Sequence, residues 1–312
     1  MTAMDPDTPP LRPRALRPGA RVALVAPAGP LGAGVLDKAA DRCRRLELEP
    51  VTYPGATRRR GYLAGSDEER LADLQAAFDD PATDGVWALR GGYGTLRILD
   101  GLDLARQRRD PIPFIGFSDN TNLHALHARE GMVSFHGPHP GADFPPETEA
   151  SFRAALFSGE AQGPLSSRPG DPAPHALRGG SAEGRLIGGN LAILASLCGS
   201  RDAISTRGRI LLLEDVGEPA YRVDRMLHQL LRGGVLDGVA GLAFGRFTGV
   251  SEGLSDILAV LGEFAVRFGV PAVADLPFGH VEHNCTVPLL ANARLDADAA
   301  TLLVTERATR PT

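Results

Sequence analysis

Short, near-continuously apolar segments alternating with helical ones predict an α/β fold built on a parallel sheet. Three stretches carry that prediction. RVALVAP (21–27) and DGVWALRGGYG (84–94) run a buried strand into glycine or proline turns, and PIPFIGFSDNTNLHAL (111–126) runs one into a helix. Strands covered by helices on both faces lose the apolar/polar alternation of half-exposed strands, and such sheets are parallel.

The remaining elements follow in order. Residues 1–19 contain several prolines and read as a flexible lead-in. A first domain, expected over 20–157, adds to the three strands PVTY (50–53) and MVSFHGP (132–138). Its helices are read at 35–46, 66–78 and 95–102, and Ser66 with Glu69 three residues on forms a capping box. The stretch 158–183 is dominated by Gly, Pro and Ser and reads as a linker. A second, mixed α/β domain is expected over 184–312. It has helices near 188–197, 221–234 and 255–269 and strands at 209–214 and 239–245. Its tail, TVPLLANARLDADAATLLVTE, alternates apolar and polar residues as an antiparallel hairpin does.

Composition narrows the function. With 5% aromatic residues, a net charge of -5 and no dense Lys/Arg block, the chain lacks the basic stripe of a nucleic-acid binder. Arg58, Arg59 and Arg60 form a tight basic cluster that reads as a solvated loop. No stretch reaches the roughly 18 apolar residues of a membrane span, and the N-terminus shows no apolar run of signal-peptide length. Cys43, Cys198 and Cys285 are scattered and form no CxxC pair, so a disulfide framework or thiolate zinc site is unsupported. These features lead us to expect a cytoplasmic protein.

In parallel sheets the functional loops lie beyond the carboxyl ends of the strands, so polar residues there are the candidates for chemistry. Ser118 ends one strand between small and polar residues. Glu214 ends the apolar run ILLL, and His280 follows ADLPFG. A serine nucleophile needs a base and a third group to orient it, and these three residues supply one of each. Each has a plainer alternative: Ser118 as a helix cap, Glu214 as part of an acidic loop with Asp215 and Glu218, His280 as a turn histidine. Asp119 and Asn120 can cap equally well, so the helix does not require Ser118. RGGYGT (90–95) lacks the spacing of a phosphate loop. Its glycines can bring backbone N–H groups close to a substrate instead. The pairs His124/His127, His136/His139 and His280/His283 lack the carboxylate offsets and third ligand of a metal site, so neither a metal nor another cofactor is expected.

RGGYG (90–94), GFSD (116–119) with Thr121 two residues on, GRLIGGNL (184–191), LLLEDVGEPAYRVDRML (211–227) and LPFGH (276–280) together resemble the LD-carboxypeptidase family. These are serine peptidases that remove the terminal D-alanine from murein tetrapeptides in peptidoglycan recycling. The motifs occur in the family's order from about residue 21 onward. The resemblance implies a flavodoxin-like first domain, a smaller second domain, and a Ser118–Glu214–His280 triad between them. It places the oxyanion hole at the N–H groups of Gly92 and Asp119 and gives Asn190 a substrate-side or triad-supporting position. Arg90, beside the glycine turn, is a candidate for the substrate's terminal carboxylate, with a surface role left open. A homodimer is the assembly expected with this murein-peptide reading. Two alternatives remain: a microcin-immunity-type hydrolase of peptidyl or aminoacyl nucleotides, and a general esterase or amidase of α/β-hydrolase type. The latter's GxSxG elbow is broken by Asn120.

Overall fold

A computed structural model of the chain describes residues 8–250 and 253–311. Its first half alternates strand and helix: β1 (Arg21–Val25), α1 (Val35–Arg45), β2 (Glu49–Thr52), α2 (Asp67–Asp79), β3 (Gly85–Ala88), α3 (Ala105–Arg109), β4 (Phe114–Gly116), α4 (Thr121–Arg129), β5 (Ser134–His136) and α5 (Pro146–Leu156). The Ser66 capping box is present, with the Ser66 hydroxyl accepting from Glu69 N and the Glu69 carboxylate from Ser66 N. Residues 95–101 form a 3-10 helix.

The second half comprises β6 (Ala161–Pro164), β7 (His175–Arg178), β8 (Ser181–Asn190), α6 (Leu191–Leu197), β9 (Arg209–Val216), α7 (Ala220–Arg232), β10 (Gly241–Thr248), α8 (Leu254–Phe268), β11 (Ala272–Ala274), β12 (Val287–Leu289), β13 (Asn292–Asp296) and β14 (Thr301–Arg307).

The strands form two sheets. The first has the order β12-β5-β4-β3-β1-β2 and is parallel except where β12 runs antiparallel to β5. The second has the order β6-β14-β13-β8-β9-β10-β11-β7, with a parallel centre from β8 to β11 and antiparallel flanks. The tail hairpin is β13 and β14. The interior is apolar: Trp87 on β3 stacks on Phe152 of α5 at 4.6 Å, and its indole N–H donates to Pro138 O at 2.8 Å.

Three segments differ from expectation. Residues 158–183, read as a linker, supply both edges of the second sheet, β6 against β14 and β7 against β11. Edge strands tolerate the proline and glycine that central strands exclude, so the composition is the same for both roles. Gly188 to Asn190, read as helix, end β8. Gly188 and Gly189 have φ of 135° and 144°, outside the helical region, and a methyl group on Gly188 would lie 2.0 Å from Leu212 O. Residues 8–19 of the lead-in, expected to be flexible, are irregular yet packed. Leu11 N donates to Gly131 O and Leu16 N to Leu156 O, both at 2.8 Å. The lead-in's first seven residues lie outside the described part. Among the described residues no helix is long and apolar enough to cross a membrane.

Candidate active site

The turn after β4 holds Ser118 in an unusual conformation. Its φ is +63°, a left-handed backbone that costs a non-glycine residue about 1 kcal/mol or more. Close packing leaves no room around it. A methyl group on Gly116 would meet Asn120 at 3.1 Å and Ala88 at 3.2 Å. Asn120 bridges this turn to the one after β3, donating to Phe117 O at 3.0 Å and Arg90 O at 3.3 Å. Asp119 is buried, and its carboxylate accepts from the N–H and hydroxyl of Thr95, both at 2.9 Å. Burial is the main cause that raises the Asp119 pKa, against the hydrogen bonds from Thr95. The buried Arg70 donates to Pro27 O and Gly94 O, tying the turns after β1 and β3 together.

The glycine turn presses directly on Ser118. A methyl group on Gly91 would lie 2.7 Å from Ser118 Cβ, 2.8 Å from its Oγ and 3.2 Å from Asp119 N. Gly91→Ala is therefore expected to push Ser118 out of line while leaving the fold intact, since the φ of Gly91 is not in the positive range. A displacement of about 1 Å at a reacting atom costs about a hundredfold in rate. Turnover and thermal unfolding measured on the variant check this; a native rate would show that the turn yields.

Glu214, expected to end its strand, lies within β9 two residues before its end, opposite Asn190 of β8, and is fully buried. Two glycines make its surroundings. Gly189 lies against the start of α4, where a methyl group would come within 2.6 Å of Thr121 Oγ1, and the Thr121 hydroxyl accepts from Asn190 N at 3.1 Å. Gly279, at φ 113°, passes over the carboxylate; a methyl group there would be 2.9 Å from Glu214 Cβ and Oε2. That passage lets His280 reach both sheets. Its Nδ1–H donates to Glu214 Oε2 at 2.7 Å, and its Nε2 accepts from the Ser118 hydroxyl at 3.1 Å. Three residues far apart in sequence thus form one chain of contacts.

Electrostatics follow from this packing. Burial works against the charge on Glu214, yet the nearby His136 and His280 outweigh it and hold the carboxyl down at about 2. Burial likewise works against a charged His280, but the Glu214 hydrogen bond and the negative charges of Glu214 and Asp215 raise its pKa. Asp215 rises to about 6, chiefly through burial and then through the Glu214 charge.

The other expected site residues fall into two groups. The N–H groups of Gly92 and Asp119 have no acceptor among the described residues and lie on the two turns that meet at Gly91 and Ser118. Arg90 donates to Pro30 O at 2.7 Å and, with Gly29, Pro30, Arg59, Tyr62, Gly92 and Tyr93, lines a cavity of about 610 Å³. Asn190, by contrast, turns inward. Its Oδ1 caps α6 by accepting from Ile193 N at 3.2 Å, and its amide donates to Asp215 Oδ1 at 3.1 Å, beside Glu214.

Sequence reading missed Tyr62 and Tyr93, 65% and 45% exposed with rings 5.8 Å apart; Arg59, read as part of a solvated loop, is exposed there and also lines the same cavity. Aromatic side chains left in solvent beside a glycine turn were the available signal. It weighed His136 only as half of a histidine pair, whereas the residue stands 3.8 Å from Glu214. The histidine pairs have other partners. His124 bonds Ser134 and Gly116 O, each at 2.8 Å, and His127 bonds Leu123 O at 2.7 Å.

Comparison with known proteins agrees with this architecture. Residues 22–137 match the model of the LD-carboxypeptidase N-terminal domain and residues 183–295 that of the C-terminal domain. A putative carboxypeptidase of Streptomyces coelicolor is 45% identical, covering 94% of this chain and 95% of that protein. The murein tetrapeptide carboxypeptidase of Pseudomonas aeruginosa is 37% identical, over 89% of this chain and 94% of its own. An MccF-like protein from Bacillus anthracis, 22% identical, superposes with a TM-score of 0.85 over 95% of this chain and 99% of its own and shares the fold. In sequence as in architecture, the chain belongs to the LD-carboxypeptidase family.

Proposed function

We propose that the protein is a serine LD-carboxypeptidase that releases the terminal D-alanine of murein tetrapeptides, acting in the cytoplasm as a homodimer in cell-wall peptide recycling. The observation that carries this reading is the run of contacts from Ser118 Oγ through His280 to Glu214. The nucleophile belongs to the domain spanning 20–157, the base and carboxylate to that spanning 184–312. His280 Nε2 takes the Ser118 proton as Oγ attacks the scissile carbonyl, and Glu214 holds the ring's tautomer and stabilises its charge. The N–H groups of Gly92 and Asp119 stabilise the oxyanion. His280 then returns the proton to the leaving amine, and water repeats the sequence on the acyl-enzyme. Asn190 supports the carboxylate side of the site through Asp215.

Arg90 receives the terminal carboxylate, since a guanidinium fork matches a carboxylate bidentately and has no carboxylate partner within ion-pair distance among the described residues. Its Nη2 is 3.9 Å from where a methyl group on Gly92 would stand. Anchored there, an L-alanine would direct its methyl into the space of the D-centre's hydrogen, clash, and turn the carbonyl from Ser118. The test offers paired tetrapeptides ending in D-Ala and L-Ala, with a D-Ala amide lacking the terminal charge. Release of free D-Ala should exceed the other two by about a hundredfold. Equal cleavage of all three would assign a broad esterase or amidase instead.

A further inference from the structure

Glu214 has two oxygens, and the contacts above use one. Oε2 accepts from His280, while Oε1 is buried and has no hydrogen-bond partner among the described residues. A carboxylate removed from water requires donors on both oxygens to offset its desolvation. His136 faces it. Its ring is 1% exposed, its Nε2 lies 3.8 Å from Glu214 Oε1, and neither of its nitrogens has a partner among the described residues. Two atoms bridged by water stand about 5 Å apart, so at this separation no water fits between them. A shift of about 1 Å makes the contact a hydrogen bond.

The position of His136 in the fold gives that contact a purpose. It is the last residue of β5, paired with Gly116 of β4 on one side and Val287 of β12 on the other. Its ring is packed by Phe117 at 5.7 Å, Phe278 at 5.9 Å and His124 at 6.2 Å. His136 and Ser118 therefore belong to the first sheet and Glu214 to the second. We propose that His136 is a positioning residue, whose Nε2–H donates to Glu214 Oε1 and holds the carboxylate, across the two sheets, in line with His280 and Ser118. The proposal rests on the triad reading above. In it Nδ1 of His136 stays bare among the aromatic rings, and the residue touches no substrate.

A double-mutant cycle tests it, with turnover of the tetrapeptide as the readout. His136→Phe keeps the ring and removes the donor; kcat should fall about ten- to a hundredfold with KM unchanged. His136→Gln, whose amide can donate to the same oxygen, should recover most of the loss. In the Glu214→Gln background His136→Phe should add almost nothing, because the residue acts through Glu214. Full additivity, or a native rate for His136→Phe, overturns the proposal. An unaffected Glu214→Gln rate sinks the triad reading itself, a distinguishable outcome. NMR of histidine-labelled wild-type protein gives an answer even if His136→Phe does not fold. The proton should reside on Nε2 of His136, and its resonance should move in Glu214→Gln; a proton on Nδ1 that ignores Glu214→Gln overturns the assignment.

Discussion

Ser118→Ala is expected to lower turnover by about 10⁴-fold or more, the usual consequence of removing the nucleophile of a triad. The structure separates this chemical effect from a structural one. The Ser118 hydroxyl contacts His280 Nε2, and no other hydrogen bond of its side chain occurs among the described residues. The strain at φ +63° is shared by alanine and serine alike, so the thermal midpoint should hardly change. Ser118→Gly sharpens the comparison. Glycine adopts this backbone freely, so the glycine variant should be as inactive as alanine yet at least as stable. Mass-spectrometric release of D-alanine and thermal unfolding of the three proteins check both halves. Near-native turnover in a folded Ser118→Ala protein removes Ser118 from the chemistry.

Acid should destabilise the fold well before ordinary, exposed carboxylates titrate. Burial lowers His124 to about 3 and His127 to about 4. Both stay neutral in the fold down to those values but take up a proton near pH 6.5 once unfolded. Their stabilisation is therefore complete above pH 6.5 and is lost as pH falls from there toward 4. By pH 5 each contributes a loss of about 2 kcal/mol, about 4 kcal/mol together. Asp215, raised to about 6, and His280, also raised, bind protons more readily in the fold and offset part of that loss. The expected net effect is a fall of a few kcal/mol between pH 7 and 5. His127 stacks on Phe114 at 5.2 Å, so His127→Phe should keep the packing and reduce the fall by about 2 kcal/mol. Urea unfolding at both pH values measures it; an unchanged pH difference in His127→Phe would rule out the buried histidines as its origin.

The ends of apolar runs were the legible part of this chain. Ser118, Glu214 and His280 each follow a short apolar run, and such a stop singles out a polar side chain without any knowledge of the partner strands, although β9 continues two residues past Glu214. Runs such as VALV and ILLL likewise announce a buried parallel sheet. What depends on distant neighbours was hidden. Residues 161–164 and 175–178 look like linker because edge strands need little apolar surface. The two glycines before Asn190 look like the start of a helix until Leu212 is known to lie against them. His136 earns its interest from a carboxylate 78 positions further along, and periodicity carries no trace of such a contact.

The three residues of β12 return from the second sheet to complete the first, pairing with β5. During synthesis, then, the first sheet stays one strand short until residues 287–289 have left the ribosome. An open β5 edge, with Phe135 at the centre, is a template for unwanted pairing until β12 covers it. The segment that finally covers this edge follows directly on the one that carries His280. Sealing the first sheet and delivering the catalytic base therefore both depend on the same late stretch of chain.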